Sequence, residues 1–261
     1  MSTAPTLLSV EDLCKSYGGV HAVRGVSFAL RAGEILALIG PNGAGKSTCF
    51  DMLNGQNVPD SGRIHLLGQD TTAKKPRAVW RLGVGRTFQI TATFPTMTVR
   101  ENVQVALVSY QRQLFNLWAS TPRFAQEEAG RLLELVGMSG YAERPCGELA
   151  YGDLKRLELA VALANQPKLL LMDEPTAGMA PRERNDLIAL VKRLVVERGI
   201  SVLFTEHSMD VVFAYADRII VLARGVLIAE GNAEAIRDNA RVQQVYLGTG
   251  RTFAPHAEVR P

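Results

Sequence analysis

A glycine-rich segment near the start of the chain has the composition and spacing of a phosphate-binding loop. It reads Gly40-Pro41-Asn42-Gly43-Ala44-Gly45-Lys46-Ser47 and matches the pattern G-x-x-x-x-G-K-[ST]. Glycines let the backbone curl so that successive N–H groups point at phosphate oxygens, and the N-terminus of a following helix adds partial positive charge. We expect Lys46 to reach the β- and γ-phosphates, Ser47 to bind Mg²⁺, and Thr48 to complete the nucleotide-binding set. The motif predicts binding of a nucleoside triphosphate with Mg²⁺.

Two adjacent carboxylates follow an apolar segment later in the chain. Leu169–Met172 leads directly into Asp173 and Glu174. A short apolar run of this kind is typical of a buried strand, so both carboxylates are expected at a strand end. Asp173 would hold Mg²⁺ through its hydration shell, and Glu174 would polarise the attacking water. One positioned base contributes about 10²–10⁴ in rate. The acidic pair therefore predicts that the bound triphosphate is hydrolysed.

A histidine occupies the corresponding place after the next predicted strand. His207 follows Ser201–Thr205, which is predicted to be the strand after the acidic pair. A lone histidine is more often structural than catalytic. Its position one strand after Asp173 and Glu174 favours a place beside the γ-phosphate, where it would hydrogen-bond the phosphate and orient the water.

The elements that must position these residues predict an α/β fold. Strands separated by helices pair in parallel through right-handed crossovers, and strand and helix alternate in this way from Lys168–Met172 to Arg218–Leu222. Between about 98 and 140, apolar residues recur at helical spacing instead, which predicts an α-helical subdomain. The predicted strands are Leu7–Leu13, Ser27–Leu30, Glu34–Gly40, Arg63–Leu67, Lys168–Met172, Ser201–Thr205 and Arg218–Leu222, and the first two are expected to be antiparallel. The predicted helices of the α/β part are Lys46–Leu53 and those after Pro181 and after His207.

Composition and charge exclude several classes of protein. The 261 residues include 47% hydrophobic and 21% charged residues, with a net charge of +3, and are typical of a globular protein. Lys and Arg are scattered, which argues against a nucleic-acid surface. Three widely spaced cysteines suit free thiols in a reducing compartment. The sequence shows no signal peptide, and its apolar runs fall short of the roughly 18 residues of a spanning helix. We therefore expect a cytosolic chain that reaches a membrane only through a partner.

Three further segments give the chain a resemblance to the ATP-binding subunits of ABC transporters. Leu149-Ala150-Tyr151-Gly152-Asp153 resembles the ABC signature LSGGQ, Gln89 matches the Q-loop glutamine, and Tyr17 matches the aromatic residue that stacks on adenine. The segments GEILALIGPNGAGKST, GRTFQ, FPTMTVRENV, EPTAGM and VYLG resemble the branched-chain amino acid importer ATPases of the LivG type. The related lipopolysaccharide exporter ATPases usually have Leu-Pro-Gln at the Q-loop.

The resemblance implies a fold and a set of partners. The fold would be a P-loop NTPase core with an antiparallel β-subdomain and an α-helical subdomain (about 92–150), in an ABC ATPase domain over 1–248 with a C-terminal tail at 249–261. Gln89 would assist catalysis and bind Mg²⁺. Two ATPases would sandwich two ATP molecules, each between the phosphate loop of one chain and the signature of the other. The complex would consist of this chain, a second and different ATPase, two permeases that contact the region of Gln89–Asn102, and a periplasmic binding protein. The ATPase would lie at the cytoplasmic face of the bacterial inner membrane.

The chain departs from the family pattern where it would reach the partner's nucleotide. Ala150 replaces the signature serine, Asp153 replaces its glutamine, and Ala180 replaces the usual Asp or Asn of the D-loop. One hypothesis is an asymmetric transporter with a fast site on this chain's phosphate loop and a slow site on the partner's. The alternative is neutral drift. Other functions considered are a lipopolysaccharide exporter ATPase, a non-hydrolysing regulatory module, and an ABC ATPase acting on nucleic acid or ribosomes.

Overall fold

The computed structural model of the chain describes residues 4–87, 93–111 and 123–247. An antiparallel region comes first, and strands and helices then alternate. In chain order the elements are β1 (Thr6–Tyr17), β2 (Val20–Arg31), β3 (Ile35–Ile39), α1 (Lys46–Leu53), β4 (Ser61–Leu66), β5 (Gln69–Asp70), α2 (Pro76–Arg81), β6 (Val84–Thr87), α3 (Val99–Tyr110), α4 (Arg123–Leu135), α5 (Tyr151–Leu163), β7 (Leu169–Asp173), α6 (Pro181–Arg198), β8 (Ser201–Thr205), α7 (Met209–Tyr215), β9 (Arg218–Ala223), β10 (Val226–Gly231), α8 (Ala233–Arg237) and α9 (Ala240–Leu247).

The first sheet is antiparallel, with strand order β2-β1-β4-β5. Leu8, Val10 and Leu13 of β1 are buried on one face, where they pack against α1 and the second sheet. The predicted antiparallel strands are present, but β1 and β2 have 12 residues each and extend well beyond the apolar segments. They continue because backbone pairing persists through the polar hairpin ends, as far as the pair formed by Tyr17 and Val20.

The second sheet brings the predicted site residues to one edge. Its order is β10-β9-β3-β8-β7-β6, and all neighbours are parallel except β10, which is antiparallel to β9. Every residue of β3, β7 and β8 is buried, as expected for strands covered on both faces. Because these three strands are neighbours and parallel, the segments that follow them meet at their carboxyl ends. The predicted parallel core is therefore confirmed, whereas six elements were not predicted: β5, β6, β10, α2, α8 and α9.

Two hydrophobic cores sandwich the parallel sheet. Ile35, Ala37 and Ile39 of β3 face the core shared with α3 to α7, while Leu36 and Leu38 face the core shared with α1 and the antiparallel sheet. This alternation follows from the two-residue period of a strand.

The helices α3 and α4 lie within the predicted helical region. α3 begins after Thr98, whose hydroxyl accepts from the N–H of Glu101 at 3.1 Å while the Glu101 carboxylate accepts from the N–H of Thr98 at 2.7 Å. This reciprocal cap fixes the start of the helix. The limits of the helical subdomain, about 92–150, stay a prediction, because 88–92 and 112–122 are outside the described residues. The predicted tail 249–261 is outside them as well.

Candidate nucleotide-binding and hydrolysis site

The phosphate loop is a tight connection between β3 and α1 that only glycine permits at its end. Gly45 has φ 103°, and a Cβ there would lie 2.4 Å from the carbonyl oxygen of Ala22 in β2. The helix α1 begins at the next residue, so its free N–H groups open toward the loop. The buried ammonium of Lys46 donates to the carbonyl oxygens of Gly40 at 2.8 Å and Pro41 at 3.2 Å. A cation is thus held at the loop where a phosphate is expected.

An open cavity of about 730 Å³ lies against this loop. Its wall includes the loop residues from Asn42 to Thr48, the predicted base Glu174, and the start of β2. The volume falls in the usual range for small-molecule sites, which is about 300–1,000 Å³. The structure therefore brings most of the predicted phosphate-binding residues and the predicted base to one cavity.

Thr205 holds both predicted carboxylate residues in place. Its buried hydroxyl donates to Asp173 Oδ1 at 2.6 Å and accepts from the N–H of Glu174 at 3.0 Å. Glu174 has φ 49°, a left-handed conformation that is strained for a residue other than glycine. Its N–H also donates to the carbonyl oxygen of Thr205 at 3.2 Å, which helps to hold this conformation. Strained backbone of this kind is concentrated at active sites.

The two predicted catalytic side chains are in direct contact. Nε2 of His207 lies 2.6 Å from Oε1 of Glu174, and both side chains are partly exposed. Because an ionised carboxylate can only accept, Nε2–H is the donor. Sequence reasoning placed each residue beside the γ-phosphate separately, and the tertiary structure joins them into one hydrogen-bonded pair.

Glu206 supports this pair and was missed by sequence reasoning. Its buried carboxylate accepts from the N–H and hydroxyl of Thr176, from the N–H of His207 at 2.9 Å, and from the N–H of Ser208 at 3.3 Å. It therefore ties the loop that follows Glu174 to the loop that carries His207. The available signal was a carboxylate placed between the predicted strand Ser201–Thr205 and a candidate catalytic histidine.

Arg86 is a second residue that sequence reasoning missed. Its nearly buried guanidinium donates twice to Asp51 Oδ1, at 3.0 and 2.9 Å, and lies 3.9 Å from Asp173 Oδ2. It thereby links α1, which begins at the phosphate loop, to the acidic strand. Gln89, three residues later, is outside the described residues, so its roles in catalysis and Mg²⁺ binding stay predictions.

The residues predicted to hold Mg²⁺ have suitable chemistry. The Ser47 hydroxyl is available at the cavity, and the Asp173 carboxylate lies at the carboxyl end of β7. Among the residues that the structure describes, no group of three or more His, Cys, Asp or Glu side chains could enclose a metal ion. Hydroxyl and carboxylate oxygens are the kind of ligand that Mg²⁺ binds, with substrate phosphates and water completing its shell.

Comparison with known proteins agrees with this site. Residues 23–177, more than half of the chain, match the model of the ABC transporter family, and residues 226–252 match the branched-chain amino acid ATP-binding cassette transporter model. The high-affinity branched-chain amino acid transport ATP-binding protein BraF of Pseudomonas aeruginosa is 39% identical over 93% of this chain and 98% of its own length. LivG of Escherichia coli strain K12, which has the same description, is 40% identical over the same shares. The chain belongs to the ATP-binding subunits of ABC transporters.

Solved structures confirm the fold of this ABC ATPase. The ADP conformation of the ATP-binding cassette MJ1267 superposes with a TM-score of 0.85 and 32% identity, covering 94% of this chain and all of the other. A nucleotide-free ATP-binding cassette gives a TM-score of 0.84 and 34% identity, covering 93% of this chain and 99% of the other. The predicted family, fold class and ATPase class are thus confirmed. No helix among the described residues has the length and apolarity that a membrane span requires.

The signature of the ABC ATPase lies apart from the cavity. Among the described residues, those from Leu149 to Asp153 do not line the cavity that contains the phosphate loop. They lead into α5, where Ala150 is the N-cap and supplies no side-chain cap. A Cβ at Gly178 would lie 3.4 Å from the ring of Tyr151, and a Cβ at Gly152 would lie 3.1 Å from the carboxylate of Glu183. The predicted signature therefore lies close to the predicted D-loop, with Ala150 at the N-cap and Asp153 in the first turn of α5.

Tyr17, the predicted adenine contact, is the last residue of β1. Its side chain is 45% exposed, with the Lys15 ammonium 5.6 Å from the ring. Tyr17 itself does not line the cavity, but it pairs across the hairpin with Val20, which does. Its predicted contact with adenine stays a prediction.

Proposed function

We propose that this ABC ATPase hydrolyses ATP to power the import of branched-chain amino acids, or a related small polar solute, through a permease. One observation carries the hydrolytic part: the predicted base Glu174 lines the phosphate-loop cavity and is hydrogen-bonded to His207 at 2.6 Å. The cargo class rests on the relatives, whose names give high-affinity branched-chain amino acid transport.

In the proposed reaction, the loop N–H groups and Lys46 bind the β- and γ-phosphates. Glu174 then accepts a proton from the water that attacks the γ-phosphorus, while the bond between that phosphorus and the bridging oxygen of ADP breaks. His207 orients the Glu174 carboxylate through its Nε2–H, and its ring is placed by the backbone bond to Glu206. A base of this kind contributes about 10²–10⁴ in rate.

We assign the Mg²⁺ site to Ser47 and Asp173, with Gln89 as a third ligand. When bound, Mg²⁺ neutralises charge that develops on the phosphate oxygens. Thr205 and Arg86 orient Asp173 toward this role through their contacts with its two carboxylate oxygens.

The proposed assembly follows the family pattern. This chain would pair with a second, different ATP-binding subunit and contact two permeases at the cytoplasmic face of the bacterial inner membrane, with a periplasmic binding protein delivering the solute. Ala150, Asp153 and Ala180 lack the usual groups of the signature and D-loop. We therefore expect the site on this chain's phosphate loop to hydrolyse ATP faster than the partner's site. Comparable losses when the catalytic glutamate of each subunit is replaced in turn would contradict this asymmetry.

The decisive experiment replaces Glu174 with glutamine, which keeps an acceptor for His207 but removes the base. ATP hydrolysis should fall about 100-fold or more, while ATP affinity is retained and an ATP-dependent dimer with the partner ATPase becomes visible by size-exclusion chromatography. Glu197→Gln on the exposed side of α6 is the matched control and should hydrolyse ATP at the rate of the unaltered protein. Hydrolysis by Glu174→Gln within threefold of the unaltered protein would refute the assignment.

The cargo is tested separately in proteoliposomes that contain this chain, its partner ATPase and the permeases. ATP-dependent uptake of leucine, isoleucine or valine delivered by the binding protein supports the importer. ATP hydrolysis that is stimulated by none of these amino acids would point to another cargo.

A further inference from the structure

A two-residue turn joins β9 to β10 and contains an arginine in a strained conformation. Ala223 pairs with Val226, so the turn consists of Arg224 and Gly225, with φ values of 50° and 79°. Such turns favour Asn, Asp or Gly at the first position, because most side chains are strained there. An arginine in this place costs backbone energy and persists only because the surrounding structure holds it, and residues strained in this way cluster at functional sites.

Backbone hydrogen bonds fix this turn to the phosphate loop. The N–H of Gly225 donates to the carbonyl oxygen of Ala44 at 3.0 Å, and the carbonyl oxygen of Gly225 accepts from the N–H of Arg24 at 2.8 Å. A Cβ at Gly225 would lie 2.8 Å from the carbonyl oxygen of Ala22, so glycine is required for this close approach. These hydrogen bonds therefore hold the backbones of Arg24 and Arg224 beside the phosphate loop.

Both arginines line the phosphate-loop cavity. With Lys46 they make three basic residues in its wall, against one acidic residue, Glu174, among the described lining residues. Neither guanidinium forms a hydrogen bond or an ion pair with any residue that the structure describes. A guanidinium stays charged at every working pH, and its planar fork of donors matches phosphate oxygens.

We propose that Arg24 and Arg224 bind the phosphate chain of the nucleotide from the rim of the cavity, in addition to the loop N–H groups and Lys46. This inference rests on the proposed function, since it takes ATP to be the occupant of that cavity. The two arginines strengthen binding in proportion to the negative charge of the ligand, and they make the affinity more sensitive to ionic strength.

A third arginine provides a matched control. Arg241 in α9 lines a neighbouring cavity of about 620 Å³ together with Arg24 and Arg224, but it does not line the phosphate-loop cavity. It is exposed like the other two. Removing it lowers the net charge equally without removing a contact with the nucleotide.

The test measures the Kd for Mg²⁺-ATP of the full chain by calorimetry at low ionic strength. Arg24→Gln and Arg224→Asn should each weaken binding about threefold to fivefold, and the double variant about tenfold to twentyfold, as expected for exposed charged contacts. Asparagine tolerates the left-handed turn, so Arg224→Asn should not lower the melting temperature, which separates lost binding from lost folding. The double variant should also show a weaker dependence of Kd on salt.

Two outcomes would overturn the inference: a double variant whose Kd stays within twofold of the unaltered protein, or an Arg241→Gln variant that weakens binding as much as the other two. In both cases the unaltered protein still binds and hydrolyses ATP, so the proposed function stands. Failure of the unaltered protein to bind ATP would instead refute the proposed function and this inference together.

Discussion

Replacing Glu206 with glutamine tests whether this one buried carboxylate aligns Glu174 and His207, the two residues proposed to act in hydrolysis. Each of its oxygens accepts two hydrogen bonds: Oε1 from the N–H and hydroxyl of Thr176, and Oε2 from the N–H groups of His207 and Ser208. Glutamine has the same shape, but one of its two ends must present an NH₂ group to donors. If the NH₂ group faces the N–H groups of His207 and Ser208, two hydrogen bonds are lost. If it faces Thr176, the hydroxyl can accept from it, and only the hydrogen bond from the Thr176 N–H is lost.

The magnitude follows from these contacts. One or two donors left without acceptors cost about 1–3 kcal/mol each, so we expect Glu206→Gln to lower the free energy of unfolding by about 1–6 kcal/mol. Because the donors belong to the loops that carry Glu174 and His207, their catalytic geometry should loosen as well. A misplacement on the order of 1 Å can cost about 100-fold in rate, so we expect kcat to fall about tenfold to 100-fold.

The assay combines urea unfolding, followed by circular dichroism, with steady-state ATP hydrolysis. The KM for ATP should change little, because the phosphate loop is not altered. Thr176→Val removes only the hydroxyl and leaves no new buried donor, so it should cost about 1 kcal/mol and reduce kcat less. A Glu206→Gln protein that is destabilised as expected but retains its full kcat would show that Glu206 is structural only, and would refute the alignment argument.

Three other predictions concern the phosphate loop, the partly buried ion pair of Glu34 and Arg218, and the thiols. Gly45→Ala should weaken ATP binding by at least about tenfold in calorimetry, because the Cβ would collide with a β2 carbonyl oxygen and φ is unfavourable; unchanged affinity would contradict the loop geometry. Burial opposes ionisation of Glu34, yet hydrogen bonds and charge from Arg218 hold the pKa of Glu34 below its ordinary 4.5. This depressed pKa stabilises the fold above pH 4.5, and the contribution is lost as pH falls through the lowered value. Glu34→Gln should therefore flatten the acid side of the melting-temperature profile, and an equally steep profile would argue against it. Burial raises the pKa of Cys49 to about 12, so mass spectrometry after iodoacetamide treatment of the folded protein should find Cys14 modified before Cys49.

Local sequence patterns were sufficient for the elements that end at the site. The spacing of the phosphate loop and the largely apolar segments of β3, β7 and β8 identify buried parallel strands followed by functional residues, because a strand covered on both faces carries few polar side chains. The helix α1 begins and ends at the predicted residues. The predicted strand boundaries were less accurate in the antiparallel hairpin of β1 and β2, where backbone pairing extends past the apolar residues.

The support around the site could not be read from the sequence. Glu206, Thr205 and Arg86 form hydrogen bonds to residues that are between 30 and 35 positions away in the chain. Helical and strand periodicities relate only residues a few positions apart, so they cannot predict these contacts. The turn at Arg224 is a similar case, since its relation to the phosphate loop depends on β9 lying beside β3 in the sheet.

The sequence by itself determined the chemistry of this ABC ATPase: the phosphate loop, the acidic pair after β7 and the histidine after β8, each set by residue type and short spacing. Only the tertiary structure decided how these groups meet. Parallel pairing of β3, β8 and β7 brings distant strand ends to one edge, where His207 contacts Glu174, and buried hydrogen bonds then fix the loops that carry them. Short-range chemistry is encoded locally, whereas alignment to within a hydrogen-bond length depends on packing across the whole sheet.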